Sequence, residues 1–243
     1  MQLLIISFII IFFASLTQSL IGFGFSLISV AILVNFYEVK LVVAMVLIFN
    51  FIIDFIIWYR NRHLVQIKKI ILLFFASIVG MPVGVYLLLI LNANILKFIA
   101  GFIILLTAIT MLFGFTSKLK NKKSTIISIG FVSGLLQGSV HVGGPPIALF
   151  LANYNMERKV FRANIIAYFT LLNIVTIFWF IYKGLFTEEV LINTAYLLPG
   201  LVLGLILGIV LVNKIKEGLF RKIVLGIIVL GSISSILSSF NIF

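Results

Sequence analysis

Eight long apolar stretches dominate the chain, and the charged residues gather in or beside the gaps between them. The stretches cover approximately residues 2–34, 41–59, 70–91, 95–115, 124–152, 163–182, 190–212 and 219–240. A helix needs about 20 apolar residues to span the hydrocarbon core of a bilayer, whereas barrel strands alternate over about ten residues. These stretches are long enough and do not alternate, so we predict an all-α polytopic membrane protein.

The first and fifth stretches are the longest, and polar residues and glycines interrupt each of them halfway. The interrupting residues are Gln18, Gly22, Gly24 and Ser26 in the first, and Gln137, Ser139, His141, Gly143, Gly144 and Pro145 in the fifth. Non-helical backbone at membrane depth is tolerated only where protein buries it or where it lines a watery cavity. The pattern predicts two broken or re-entrant helices, with Gly143 and Gly144 permitting the second turn. The simpler alternative is a kink that only helps helices pack.

A shift of 119 residues superposes the two interrupted stretches, so that Gln18 falls on Gln137 and Gly24 on Gly143. Other matched pairs are Phe12 with Phe131, Leu16 with Leu135, Ile28 with Ile147, Glu38 with Glu157, Lys40 with Lys159 and Ala44 with Ala163. At nearly the same offset, Gly80 pairs with Gly200 and Gly84 with Gly204. We predict two four-segment repeats, residues 1–117 and 118–243, within one integral membrane domain.

The distribution of Lys and Arg predicts how the segments are oriented. Counted with the basic residues just inside the stretch ends (Lys97, Arg221 and Lys222), the seven gaps hold 1, 4, 1, 4, 3, 1 and 4 of these residues, so both gaps beside the fifth stretch are rich. Basic loops favour the cytoplasm. The fifth stretch is then re-entrant from the cytoplasm, and the first, by repeat symmetry, from outside. Each repeat has one re-entrant segment and three full spans, and the second repeat is inverted. Eight plain spans, with one exception to the rule, are the alternative.

Composition narrows the classes of function. Hydrophobic residues form 63% of the 243 positions and charged residues 10%, which leaves no room for a soluble domain. The net charge of +12 is interpreted as loop charges beside lipid headgroups, so we expect no nucleic-acid partner. With no Cys and two His, we expect no metal site and no cofactor. Phosphate-cradling and zinc-protease motifs are missing, so an enzyme is disfavoured.

The two breaks are the candidate site. Half-helix N-termini that meet at the midplane from opposite sides attract a small anion through their dipoles and exposed amides. We expect the substrate to be lined by Gln18, Gly22, Gly24 and Ser26 on one side, and by Gln137, Ser139, His141, Gly143, Gly144 and Pro145 on the other. No fixed cation is expected there, so that the anion can also be released.

Two titratable residues are candidates for proton coupling. Asp54 is the only acid within an apolar stretch, and an intramembrane carboxylate is a functional candidate by default. Because it lies near Trp58 and Arg60, we favour the alternative of an interfacial acid that meets a basic loop. His141 is equally a proton carrier or a buried imidazole that holds its turn. The glycine stripes, such as Gly80-x-x-x-Gly84, predict close helix packing, within the chain or in a homo-oligomer.

At its two breaks the chain resembles the sulfite exporter TauE/SafE family of membrane permeases. The resemblance is carried by Gly22-Phe23-Gly24-Phe25 after Gln18-Ser19, and by Gly134-Leu135-Leu136-Gln137-Gly138 leading into Val142-Gly143-Gly144-Pro145-Pro146. Many relatives are richer in glycine at the first break. The resemblance implies a transporter of small sulfur-containing anions, such as sulfite or organosulfonates, in the bacterial cytoplasmic membrane. The alternatives are a structural or assembly subunit of a membrane complex, or an anion channel.

Overall fold

The structure, a computed structural model, describes residues 2–113, 122–154, 156–212 and 217–240, and only the main chain of 217–223. These residues form ten α-helices, one 3-10 turn at Arg62–Leu64 and no strand. The helices are α1 Gln2–Ile21, α2 Phe25–Leu33, α3 Val39–Asn61, α4 Ile67–Ile90, α5 Ala93–Leu112, α6 Lys123–Val140, α7 Gly144–Ala152, α8 Arg158–Tyr182, α9 Glu188–Leu211 and α10 Glu217–Ser239. The predicted all-α class is confirmed.

Both interrupted stretches are broken helices. The first becomes α1 and α2, the fifth becomes α6 and α7, and each other stretch becomes one helix. The breaks are not halfway as expected, since α1 and α6 hold 20 and 18 residues but α2 and α7 only nine each. At 1.5 Å per residue, the short arms are about 13 Å long, roughly half the thickness of a hydrocarbon core.

The bundle has an apolar exterior and polar groups inside. In the described residues, six helices are long and apolar enough to cross a membrane: α1, α3 with its 3-10 turn, α4, α5, α8 and α9. Phe178 and Leu230 expose 66% and 71% of their surface, whereas Gln18, Asp54 and Asn173 expose 3% or less. This distribution is the reverse of a water-soluble domain and suits a multi-pass membrane protein.

Glycine stripes hold the longest helices together at backbone contact. α4 runs parallel to α6, and a Cβ atom built on Gly80 or Gly84 would lie 2.1 Å from a carbonyl oxygen of α6. α9 packs along α1 in the same way, through Gly200, Gly204 and Gly208. These stripes therefore make contacts within the chain. Close approach of backbones is how apolar helices associate without a hydrophobic driving force.

The contacts of the stripes match the glycines of α4 with glycines of α9 one helical turn further along than the sequence offset predicted. Gly80 faces the carbonyl of Phe131 in α6, whereas Gly204 faces the carbonyl of Phe12 in α1. Because Phe12 and Phe131 are the matched pair of the 119-residue shift, Gly80 corresponds to Gly204 and not to Gly200. A glycine is needed at each position where a carbonyl of the neighbouring helix approaches. Equivalent glycines in the two halves are therefore identified by the carbonyl that they contact, and not by their spacing in the sequence.

Each pair of broken helices doubles back on itself. Tyr37 follows α2, and its hydroxyl lies 3.1 Å from Oγ of Ser7 at the start of α1. Tyr154 follows α7, and its ring lies 4.9 Å from Nζ of Lys69 at the start of α4. Since α6 runs parallel to α4, α6 also begins at that end. Both pairs are therefore helical hairpins whose turns lie inside the bundle.

We predict that Gly84→Ala destabilises the protein, while Gly226→Ala does not. A methyl group at Gly84 would meet the main chain of α6, whereas no atom lies within 4 Å of a Cβ on Gly226 in α10. Forced overpacking costs about 1–3 kcal/mol. The melting temperature in detergent should fall for Gly84→Ala and stay level or rise for Gly226→Ala. Equal melting temperatures for the two variants would contradict the backbone contact.

Candidate functional site

A small polar cavity lies between the two broken helices. Its volume is about 30 Å³, which is room for two or three water molecules at about 10–15 Å³ each. The cavity is lined by Gln18, Phe23, Gly24, Ser26, Leu27, Asn50, Asp54, Gln137, His141, Val142, Gly144, Pro145 and Phe169. The structure thus brings both breaks to one place, as expected from their paired polar residues.

The first break is a left-handed turn held by a glutamine. Gly22 and Gly24 have φ values of 95° and 116°, a region that glycine adopts at little cost. α1 ends at Ile21, and Oε1 of Gln18 accepts a hydrogen bond of 3.1 Å from the main-chain N–H of Phe25. That N–H begins α2 and has no partner within its own helix. Gln18 therefore joins the two arms across the break.

The second break has the same glutamine but a different left-handed residue. Oε1 of Gln137 accepts from the N–H of Gly143 at 3.2 Å. The positive φ falls on His141, at 56°, while Gly143 has a right-handed φ of −75°. Gly143 therefore does not supply the left-handed residue of this turn. Gly143 is small for a different reason, because a Cβ there would lie 2.6 Å from the carbonyl oxygen of Ser133.

A chain of four buried side chains connects the two breaks. Gln18 donates to Oδ1 of Asp54 at 2.7 Å, and Gln137 donates to Oδ1 of Asn173 at 2.9 Å. Asn173 then donates to Oδ2 of Asp54 at 3.3 Å. Asp54 and Asn173 are themselves 119 residues apart, so the matched pairs meet at the centre of the molecule.

Asp54 is therefore not an interfacial acid, and the interpretation favoured from the sequence is wrong. Its side chain is 1% exposed, and its described hydrogen-bond partners are the amides of Gln18 and Asn173. The nearby Trp58 and Arg60 indicated the end of a span, but α3 continues to Asn61 and turns the carboxyl group inward. A buried carboxylate held by neutral donors is costly to keep charged.

His141 serves the turn in this arrangement. The imidazole is fully buried, and its ring nitrogens lie 3.2 Å from Nε2 of Gln137. A ring nitrogen accepts such a bond only when it carries no proton. His141 also lines the cavity. Both interpretations of this residue stay open, because one ring nitrogen supports the turn while the ring borders the cavity.

Three expected site residues lie outside the cavity lining. Gly143 packs on α6, and Ser139 donates to the carbonyl of Leu135 in its own helix at 2.9 Å. Gly22 packs against the side chain of Arg162, whose Cγ would lie 2.6 Å from a Cβ on that glycine. The predicted substrate-lining residues that do line the cavity are Gln18, Gly24, Ser26, Gln137, His141, Gly144 and Pro145. The candidate proton carrier Asp54 lines it as well.

The expectation of no fixed cation at the breaks is wrong for the first one. Nη2 of Arg162 donates to the carbonyl oxygen of Ser19, in the last turn of α1. The sequence placed Arg162 in a loop, but α8 begins at Arg158 and not at residue 163. A cation is favoured at the carbonyl end of a helix. Arg162 therefore stabilises the break from outside the central cavity, whose described lining holds no Lys or Arg.

Asn50 belongs to the site and was missed. Its Nδ2 donates to Oγ of Ser26 at 2.5 Å, and it precedes Asp54 by one helical turn on the same face of α3. That spacing of two polar residues in an apolar stretch was the available signal. Elsewhere in the apolar stretches, the hydroxyls of Thr170 and Thr176 bond their own helix, and the side chain of Asn164 accepts from the N–H of Gln66.

The helix ends that face the cavity differ in how many amides they present. α2 reaches it through Ser26 and Leu27, and α7 through Gly144 and Pro145. Pro145 and Pro146 carry no N–H, so Gly144 has the only amide among the first three residues of α7. Both positive helix ends point at the cavity, but α2 offers it more hydrogen-bond donors.

Long apolar helices that enclose a polar cavity between two broken helices are the architecture of a membrane transport protein. The profile of the Sulfite exporter TauE/SafE family matches residues 7–235 of the chain. The chain therefore belongs to this family of membrane transporters, and the resemblance at the two breaks is confirmed. No curated protein and no solved structure matches the chain.

We predict that Gln137→Met destabilises the protein because it leaves the N–H of Gly143 buried without an acceptor. An orphaned buried donor costs about 1–3 kcal/mol. The matched control is Gln66→Met, whose side chain is exposed at the start of α4. Thermal unfolding in detergent should separate the two variants by several degrees. A Gln137→Met protein as stable as the control would show that the glutamine does not hold the break.

Proposed function

We propose that residues 1–117 and 118–243 are two inverted repeats, each with one re-entrant hairpin and three spanning helices. The hairpins support this, because they meet opposite ends of α4. Tyr154, after α7, contacts Lys69 at its start, and Lys40, after α2, donates to the carbonyl of Leu89 at its end. The boundary between 117 and 118 lies outside the described residues.

The side that carries the basic gaps is proposed to face the cytoplasm. Arg60 in the last turn of α3 and Arg158 at the start of α8 line the same surface cavity, so two of the rich gaps lie together. Basic loops favour the cytoplasmic side of a bacterial inner membrane. On this orientation the α6–α7 hairpin enters from the cytoplasm and the α1–α2 hairpin from outside.

We infer that the protein is a secondary transporter of small sulfur-containing anions, such as sulfite or an organosulfonate. The observation that carries this is the cavity between two half-helix N-termini, whose polar lining consists of side-chain amides, the Ser26 hydroxyl, the His141 ring and the Asp54 carboxyl group and, in its described part, includes no Lys or Arg. Helix dipoles and N–H groups bind an oxyanion there without a permanent counter-charge. Family membership supports the substrate class.

Alternating access is the mechanism that fits the size of the cavity. At about 30 Å³ the cavity holds only two or three water molecules, so we propose that its two sides move apart to admit the substrate. A channel instead needs a continuous polar pore. The four-residue chain through Asp54 and Asn173 lies where the repeats meet, so its hydrogen bonds must stretch or exchange when they move.

The transport test is uptake of ³⁵S-labelled sulfite and sulfonates by proteoliposomes. A thermal-shift screen that also includes sulfate, thiosulfate and carboxylates comes first and shows which anions protect the protein.

We predict at least ~ten-fold lower uptake for Gly144→Leu, whose side chain would fill the cavity. A Cβ on Gly144 meets Phe169 at an ordinary 3.8 Å, so folding should survive. Gly226→Leu on the open face of α10 is the control. Saturable flux that Gly144→Leu blocks supports a transporter. Ohmic flux indicates a channel, and no flux with no ligand protection indicates an assembly subunit.

We predict that Asp54→Asn uncouples transport from the proton gradient. The asparagine has the same shape and matches Asn173, but it cannot release a proton. Exchange of labelled for unlabelled substrate should continue, while accumulation driven by an imposed pH gradient should be lost. His141→Asn is the comparison, since asparagine tolerates the left-handed turn. Gradient-driven accumulation by Asp54→Asn at the wild-type level would exclude Asp54 as the proton carrier.

A further inference from the structure

A second cavity lies on the basic side of the bundle. It has a volume of about 380 Å³, more than ten times the 30 Å³ of the central cavity. The end of α3 with its 3-10 turn, the start of α8 and the end of α9 form its walls. We call it the basic vestibule, because its ionisable lining residues are Arg60, His63, Arg158, Lys159 and Arg162. Within the described lining no residue is Asp or Glu.

The start of α8 is an unfavourable place for these charges. α8 begins at Arg158, and its first turn contains no acidic residue. The N-terminus of a helix carries a partial positive charge, so Arg158 and Lys159 are disfavoured there. Arg158 and Arg162 are also four residues apart, a spacing at which like charges repel. Glu157 precedes the helix but does not line the vestibule. An anion in the vestibule would offset both effects.

Arg162 connects the vestibule with the first break. Its guanidinium donates to the carbonyl of Ser19, and its aliphatic part packs on Gly22. A guanidinium carries five N–H donors, so one group can contact a main-chain carbonyl and an oxyanion together. An anion held beside Arg162 would lie next to the turn that leads to Gly24 and the central cavity.

We propose that the basic vestibule is a second binding site, which takes a small oxyanion on the side chains of Arg158, Lys159 and Arg162. A concave surface of one charge sign concentrates counter-ions at its mouth. The vestibule then loads the anion on the side of the membrane where the basic gaps lie. The choice of a sulfur oxyanion as ligand rests on the proposed function, whereas the site rests on the charges. A lipid phosphate offers the same chemistry.

The test measures binding of sulfate and sulfite to the full chain in nanodiscs of phosphatidylcholine, by isothermal titration calorimetry. The variant is Arg158→Gln with Lys159→Gln. The control is Lys122→Gln with Lys123→Gln, which removes the same charge at the start of α6, outside the vestibule lining. We expect affinity at least ~ten-fold weaker for the vestibule variant and near wild type for the control. The affinity of the wild type should also fall as ionic strength rises.

Two further comparisons distinguish anion binding in the vestibule from binding at the central cavity and from retention of lipid. Gly144→Leu should lose flux but keep vestibule binding, so a failure of the transport proposal leaves this one standing. If the wild type binds no sulfate but retains phosphatidylglycerol that the Arg158/Lys159 variant loses, the oxyanion is a lipid headgroup. Equal sulfate affinity in wild type and that variant overturns the proposal. So does an absence of both sulfate binding and lipid retention.

Discussion

The need to satisfy main-chain polar groups inside an apolar bundle is the constraint on which the rest of the structure depends. Each break exposes N–H groups that lipid cannot satisfy. Gln18 and Gln137 solve this problem in the same way, because each accepts from an N–H across the break with its oxygen and donates onward with its nitrogen. The side-chain amide of each glutamine thus both closes its turn and reaches the centre of the molecule. The hydrogen bonds that hold the breaks are therefore also hydrogen bonds of residues that line the cavity.

Backbone contact between glycine stripes keeps these bonds in place. α4 lies on α6 and α9 on α1, so each broken helix is supported along its long arm by a continuous partner. The second break has further support, since Ser133 donates to the carbonyl of Gly143 and Tyr168 donates to Ser133. Each of these pairs joins a helix of one predicted repeat to a helix of the other, so the stripes hold the two halves together at backbone contact. The α1–α9 pair and the α4–α6 pair are linked in turn by the side-chain chain from Gln18 through Asp54 and Asn173 to Gln137.

Much of the fold could be predicted from the sequence, because bilayer thickness dictates helix length and broken helices require glycine and polar residues. The paired glutamines located both breaks. Residue-level roles were harder. Asp54 looked interfacial beside Trp58 and Arg60, and only the rotation of α3 turns it inward. Arg162 looked like a loop residue, because hydropathy marks where apolar residues begin and not where a helix begins.

The left-handed residue of the second turn could not be assigned from composition either. Glycines at 143 and 144 suggested it, yet the positive φ falls on His141. A glycine can be required for its conformation or for its lack of volume, and sequence does not separate these reasons. Gly143 is small because Ser133 approaches it. Only the packing partner distinguishes the two cases.

The matched halves differ at the positions that control charge. Asp54 faces Asn173 across the centre, and His141 takes the place that Gly22 has in the first half. A fully symmetric pair of carboxylates at the centre would repel, and a pair of amides would hold no proton. One acid opposite one amide gives a single ionisable group bound by neutral donors. Because that group belongs to the first half and accepts a hydrogen bond from Asn173 in the second, its charge state bears on the contact between the halves, which is the contact that the proposed alternating access changes.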